Sequence, residues 1–324
     1  MRQTALQMVY ELAKQDERIF FVGSDLGAGT LSEFQRDMPE RFFMEGINEA
    51  NIIGLSAGLA LEGKIPYVHT IGTFLTRRCF EQLAVDVCLH NVNVRLIGSG
   101  GGLVYAPLGP THEATEDIAI LRALPRMTIV APADADEMKR LMPLTVDYPG
   151  PVYIRLAKGY DPIVTTDDVP FAIGKALPMR FGNDALIVTT GITLGAALEA
   201  HQRLAAQGLH VSVLHMPTIK PLDTEALLDH AERVPVVVSI EEHSIIGGLG
   251  SAVAETLAES SCLGQKRFKR LGIPDMFPDE YGSQASLMKR FGLTADRLVE
   301  VITELHESSE FMSHGRKWLT SISS

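Results

Sequence analysis

The chain has 324 residues, 46% hydrophobic and 21% charged, a composition with ample material for a core and a length that points to two domains. Its formal net charge of −11 argues against a nucleic-acid or anionic-membrane partner, while leaving room for an anionic small substrate at a locally positive site. Cys79, Cys88 and Cys262 offer neither a disulfide framework nor metal-ligand spacing, no apolar run approaches membrane-spanning length, and Met1-Arg2-Gln3-Thr4 runs straight into an amphipathic helix, so the expectation is a cytoplasmic protein without a signal peptide.

In chain order, residues 3–14 read as a helix with Leu6, Val9, Tyr10 and Ala13 on one face. A buried strand at 18–23 leads into the loop Ser24-Asp25-Leu26-Gly27-Ala28-Gly29, at the strand end where open α/β sheets bind ligands. Asp25 there reads equally well as a turn residue. A strand at 41–44, a helix from Glu49 to about Leu61, a strand at 65–70 and a helix at 74–89 follow. Strands at 92–97, 127–130 and 152–155 then alternate with helices at 114–122 and 134–145. This alternation predicts a doubly wound, mostly parallel α/β sheet. The polar stretch from Lys158 to Pro170 reads as a linker, after which a smaller α/β domain begins. Its strands fall at 185–189, 210–214, 234–240 and about 268–271. Its helices fall at 194–206, 223–229, 247–258, 284–290 and 295–305, and the polar tail past Glu307 is expected to be mobile.

The chemistry-bearing residues lie at element ends. Gly46-Ile47-Asn48-Glu49-Ala50 opens an apolar helix that Asn48 can cap, with Ile52, Leu55 and Leu59 available to pack on the sheet. Glu49 in the first turn complements the helix dipole, and it is also a carboxyl at a candidate site. In Thr73-Phe74-Leu75-Thr76-Arg77-Arg78-Cys79-Phe80, the residues Phe74, Arg77 and Phe80 are expected to share a helix face. His112, in Gly109-Pro110-Thr111-His112, precedes a helix on a glycine-rich loop and is a candidate acid/base. Arg155 closes a strand, where it can grip an anion or pair with a nearby carboxylate. Gly98-Ser99-Gly100-Gly101-Gly102 opens no helix, so a phosphate cradle is weakly supported there. Gly247-Gly248-Leu249-Gly250 does open one, and close packing is the favoured reason for its glycines.

Taken in order, the Glu49 helix, Thr-Phe-Leu-x-Arg at 73–77, Gly-Pro-Thr-His at 109–112 and Pro-Val-Tyr-Ile-Arg at 151–155 resemble the C-terminal two-thirds of transketolase and of deoxyxylulose-phosphate synthase. Glu241-Glu242-His243-Ser244 and Gly247-Gly248-Leu249-Gly250 extend the resemblance over essentially the whole chain. It implies thiamine diphosphate chemistry, with a pyrimidine-binding domain over 1–165 and a transketolase C-terminal domain over 166–324. Glu49 matches the glutamate that hydrogen-bonds the aminopyrimidine. A carboxyl in an apolar pocket holds its proton more tightly, which suits exchange with a ring nitrogen. Phe74 matches the aromatic that stacks on the pyrimidine, His112 the histidine that faces substrate and helps transfer protons, and Arg155 an arginine that holds the substrate's far anionic group. Arg77 fits the synthase branch better than transketolase. The candidate cofactor contacts are therefore Glu49, Phe74, Arg77, Phe80, Asp25 and Leu26. The candidate substrate contacts are His112, Arg155, Leu108, Gly100 and Gly29, with no metal ligand in this chain.

Departures from the family pattern shape the expected function. The sequence has no Gly-Asp-Gly, the signature of the domain that holds magnesium and the diphosphate. The chain is thus expected to be the C-terminal subunit of a split transketolase, with thiamine diphosphate and Mg held mainly by a diphosphate-binding partner, two copies of each forming the enzyme. Leu108 stands where relatives have an aspartate that reads a sugar hydroxyl, so the substrate is expected to lack or invert that hydroxyl. Gly100-Gly101 stand where relatives place a basic residue on the substrate phosphate, leaving Arg155 and Arg2 for that task. The expected reaction is transfer of a two-carbon ketol unit. A decarboxylating carboligase subunit and a non-catalytic subunit that kept the fold are the alternatives.

Overall fold

Successive residues of a strand point to opposite faces, so a strand covered on both sides must bury both sets of side chains, the apolar ones by packing and the few polar ones by hydrogen bonding. The stretch Ile65–Ile71 shows this directly. Tyr67 packs with Leu6, Val9, Phe21 and Ile154, whereas its neighbour Val68 packs on the other face with Ile52, Ile53, Leu96 and Tyr153. Each such side chain, fully buried, contributes about 1.5–3 kcal/mol of transfer free energy. The two-faced core is what commits the chain to helices on both sides of a sheet.

The computed structural model describes all residues except 25–27, 158, 160, 167–169 and 323–324; the side chains of 28, 263, 265 and 309–322 are likewise outside the description. The first six strands are β1 Ile19–Gly23, β2 Phe42–Met44, β3 Ile65–Ile71, β4 Arg95–Ser99, β5 Thr128–Val130 and β6 Val152–Leu156. The second half adds β7 Leu177–Arg180, β8 Ala185–Thr189, β9 Val211–His215, β10 Thr218–Lys220, β11 Val236–Ser244 and β12 Arg267–Ile273. They form a seven-stranded sheet in the order β10-β5-β6-β4-β3-β1-β2 and a five-stranded sheet in the order β12-β11-β8-β9-β7. Both are parallel except at one edge, where β10 runs antiparallel to β5 and β7 antiparallel to β9. The expected doubly wound α/β class is therefore what the chain adopts. Among the described residues, no helix is long and apolar enough to cross a membrane.

Four local expectations are corrected. The helix expected at 74–89 is broken into Gly72–Thr76, Phe80–Gln82 and a π-helical stretch Leu83–Leu89, so Phe80 and the positions after it lose the register of Phe74. Asn48 occupies the N-cap position of the Glu49–Leu61 helix, yet its side chain makes no capping hydrogen bond. The helix expected at 295–305 runs on to Ile322. Finally, β7 and β10 were not legible as strands: each is short and contains or adjoins proline, and each is held at a sheet edge by its neighbour. Through β10 the second half of the chain supplies an edge strand to the first sheet.

A buried network ties the halves together behind the site. Arg155 donates to both Asp117 carboxylate oxygens, at 2.8 and 3.1 Å, and to the carbonyls of Ala114 and Glu242. Glu242 in turn accepts from the Leu103 N–H and from Gln284, both at 2.8 Å. The glycine run at 100–102 makes room for this network. A Cβ on Gly101 would meet the Arg155 side chain at 2.7 Å, and one on Gly102 would meet the Glu242 carboxyl at 2.5 Å. At Gly247-Gly248-Leu249-Gly250, the buried Glu241 carboxylate accepts from the Leu249 and Gly250 N–H groups, both at 2.7 Å, filling the helix N-terminus. The packing reading of those glycines holds.

Candidate functional site

Three segments bring the site together at the C-terminal side of the first sheet's parallel strands. The Glu49–Leu61 helix supplies Glu49, which is 2% exposed. The turn after β3 opens the Gly72–Thr76 helix, which carries Phe74. The loop after β4 carries His112. The His112 ring meets the Phe74 ring edge-on, with centroids 5.2 Å apart. His112 is held from behind: its N–H donates to the Gly109 carbonyl, and its Nδ1 shares a 2.9 Å hydrogen bond with Thr111 Oγ1. Gly109 has φ +78°, a conformation glycine adopts without strain, and the Tyr281 ring leaves no room for a Cβ there.

One residue that the sequence reading passed over sits at the centre. Arg78 Nη1 donates to Glu49 Oε2 at 2.5 Å, and its guanidinium carbon lies 4.2 Å from the centroid of the Phe74 ring. The spacing signal existed, since Arg78 follows Phe74 by four positions and i,i+4 neighbours meet on a helix. The adjacent Arg77 had been expected on that face. Instead it turns away, donating to Thr73 Oγ1 at 2.7 Å and the Glu113 carbonyl at 2.8 Å, with Glu116 at 2.6 Å. Phe80 begins the next helical segment and is partly exposed, so the shared face of Phe74, Arg77 and Phe80 does not form.

The remaining expected residues scatter. Asp25 and Leu26 lie outside the described residues. Gly29 is exposed in the turn Ala28–Leu31. Leu108 and Gly100 line a cavity of about 170 Å³ together with Arg2, Ser99, Val104, Tyr105, Pro107 and Ala157. Arg155 is the clearest correction. It is 7% exposed and committed to Asp117, so its guanidinium braces the halves instead of facing a substrate anion. The carboxylate partner anticipated as its alternative exists, but the pair is buried, not on the surface.

Two acids beside the site have displaced proton affinities. Burial pushes the Glu113 carboxyl up to about 7, and neither of its oxygens has a hydrogen-bond partner among the described residues. Burial likewise pushes Glu242 up to about 7, against the opposing pull of Arg155. For Asp117, burial would raise the pKa, but the charge and hydrogen bonds of Arg155 outweigh it and leave the carboxyl below its ordinary value.

Two α/β sheets and an acid–arginine–aromatic–histidine cluster at the strand ends of the first sheet define the class of protein. The family profile "Transketolase, pyrimidine binding domain" matches residues 1–160, and "Transketolase, C-terminal domain" matches residues 174–298; the chain belongs to the transketolase family. It is 38% identical over 312 residues to the 6-deoxy-6-sulfo-D-fructose transketolase subunit of a Clostridium species, with 96% of each chain covered. It is also 38% identical to 1-deoxy-D-xylulose-5-phosphate synthase 1 of Geobacter sulfurreducens, covering 88% of this chain but 45% of that protein, about half its length. Among solved structures, a split-gene transketolase described as an inactive beta4 tetramer superposes with a TM-score of 0.85 at 35% identity, covering 94% of this chain and 97% of that one.

Proposed function

We propose that this chain is the C-terminal subunit of a two-subunit, thiamine diphosphate-dependent transketolase that transfers a two-carbon ketol unit from a ketose or ketose phosphate to an aldose. The observation that carries this reading is the seating of a planar N–H donor between Glu49 and Phe74, because those two side chains offer the partners an aminopyrimidine requires. Family membership and the near-complete coverage of a relative that is itself a subunit support it. Thiamine diphosphate, when bound, supplies the carbon nucleophile that accepts and passes on the ketol unit. Glu49 Oε2 holds the proton shared with a pyrimidine nitrogen, and Phe74 fixes the ring plane. With Nδ1 of His112 occupied by Thr111, Nε2 is the atom that exchanges a proton with a substrate hydroxyl.

Among the described residues, no group of three or more His, Cys, Asp and Glu side chains could hold a metal ion. The sequence lacks Gly-Asp-Gly and a relative matched over nearly its full length is itself a subunit, so we assign the diphosphate and magnesium to a partner subunit carrying Gly-Asp-Gly, with two copies of each chain. Leu108 leaves the cavity wall without a carboxylate to read a sugar hydroxyl, so the donor lacks or inverts that group. A sulfonated deoxyketose, the substrate in the Clostridium relative's name, belongs beside ketose phosphates on the assay panel. Decarboxylative condensation of pyruvate is the second reading, favoured by Arg77 and by the match to the synthase.

The test is isolation of the tagged chain from its source cells, identification of what accompanies it, and assay of the pair. A companion bearing Gly-Asp-Gly and ketol transfer without CO2 release is the expected result. Release of CO2 from pyruvate would move the assignment to the second reading. A chain that comes alone and supports neither reaction would make it a non-catalytic member of the fold.

A further inference from the structure

Glu49 and Phe74 are already partnered in this chain, and by the same side chain. We infer that Arg78 is a placeholder for the aminopyrimidine: its guanidinium occupies the space between Glu49 and the Phe74 ring in the cofactor-free subunit and must leave before thiamine diphosphate can enter. The inference rests on the cofactor reading given above. It concerns a residue of this chain and a step that precedes any chemistry.

The geometry leaves little room for both groups. A contact of 2.5 Å to Glu49 Oε2 and a stacking distance of 4.2 Å to the Phe74 centroid are the two contacts the pyrimidine would need. A guanidinium mimics it well, being flat, delocalised, rich in N–H donors and able to lie on an aromatic face. There is also a physical reason for such a plug. A carboxylate as buried as Glu49 is strongly destabilised when ionised and unpaired, so the empty site favours a cation beside it. Arg78 can provide that cation and still withdraw, because its side chain remains 44% exposed and reaches in from solvent. Its neighbour Arg77 has no such freedom, being bound to Thr73, Glu113 and Glu116. The segment also favours movement: the helix that carries Phe74 ends at Thr76, and a new one starts at Phe80, leaving Arg78 between them.

A plugged site lowers apparent affinity by the fraction of molecules in which Arg78 has withdrawn. Loss of the pair and the stack is expected to change the dissociation constant about tenfold, equivalent to about 1.4 kcal/mol. The experiment is calorimetric titration of thiamine diphosphate, at saturating magnesium, into the complex of this chain with whatever subunit co-purifies with it. Wild type is compared with Arg78→Ala, and Arg78→Gln, polar but uncharged and too short to reach both Glu49 and the Phe74 ring, serves if the alanine variant does not fold. The expected result is about tenfold tighter binding in the variant, with faster association. Weaker binding would mean that Arg78 holds the cofactor, and unchanged binding would mean that it does not close the site; either overturns the inference while leaving the cofactor reading intact. Failure of the wild-type complex to bind thiamine diphosphate at all would overturn both.

Discussion

Among the arginine–carboxylate pairs in the first half of this chain, Asp117–Arg155 and Glu49–Arg78 have opposite characters. Asp117–Arg155 is closed on all sides: the carboxylate is fully buried, Tyr153 adds a 2.7 Å hydrogen bond, and Arg155 spans to the Glu242 carbonyl of the second half. Glu49–Arg78 is closed on the carboxylate side alone, with the arginine half in solvent and an aromatic face beneath it. The first pair is architecture, because removing either member strands a buried charge. The second is the site proposed above, where the half-exposed arginine is free to leave and a planar ligand to take its place. Local sequence gives no means of telling the two apart, since the carboxylate partners lie 38 and 29 residues away along the chain.

The sharpest way to test that contrast is Glu49→Ala. Turnover of the assembled enzyme should fall about 1,000-fold or more, with little change in the melting curve of the isolated chain. An unaffected rate would remove Glu49 from catalysis. The reciprocal substitution is Asp117→Ala, which should destabilise the chain by about 3–5 kcal/mol in urea denaturation by leaving Arg155 buried and unpaired. If that variant unfolds at the wild-type midpoint, the pair does not brace the halves.

Proton linkage separates the regions further. Glu113 and Glu242 have folded pKa values near 7, above the ordinary carboxyl value. The folded chain therefore binds more protons than the unfolded chain between about pH 4.5 and 7, and stability falls as pH rises through that window. Asp117 has the opposite sign: its depressed pKa contributes stability that is lost as pH falls below the ordinary carboxyl range. Melting temperatures followed from pH 5 to pH 8 should decline more steeply in wild type than in Glu113→Gln; parallel curves would show that Glu113 does not titrate there. The smallest effect is expected at the cavity wall. Leu108→Asp should shift substrate preference toward ordinary sugars by about tenfold in kcat/KM ratio, and unchanged selectivity would remove Leu108 from substrate recognition.

Much of the fold was legible from periodicity. The apolar runs at β1, β3, β4, β6 and β8 are long enough, and buried enough on both faces, to announce themselves as parallel strands. The edge strands β7 and β10 were not, since their pairing depends on a partner strand and not on their own pattern. The site was half legible. Glu49, Phe74 and His112 stood out by motif, and the last two meet. Arg77 was chosen for a position that Arg78 holds, because residues three and four positions after Phe74 both lie near its face and only the tertiary partners Thr73, Glu113 and Glu116 draw Arg77 away. Arg155 was read as a substrate contact because its partner, Asp117, lies 38 residues earlier and is brought to it by the sheet.

By itself, the amino-acid sequence determined the α/β class, the division of apolar residues between two faces and the family, because these follow from local period and from ordered motifs along the chain. Tertiary structure decided which charges are free to act. Arg155 is committed and Arg78 is exchangeable because burial and long-range pairing, not residue type, set the free energy of moving a guanidinium.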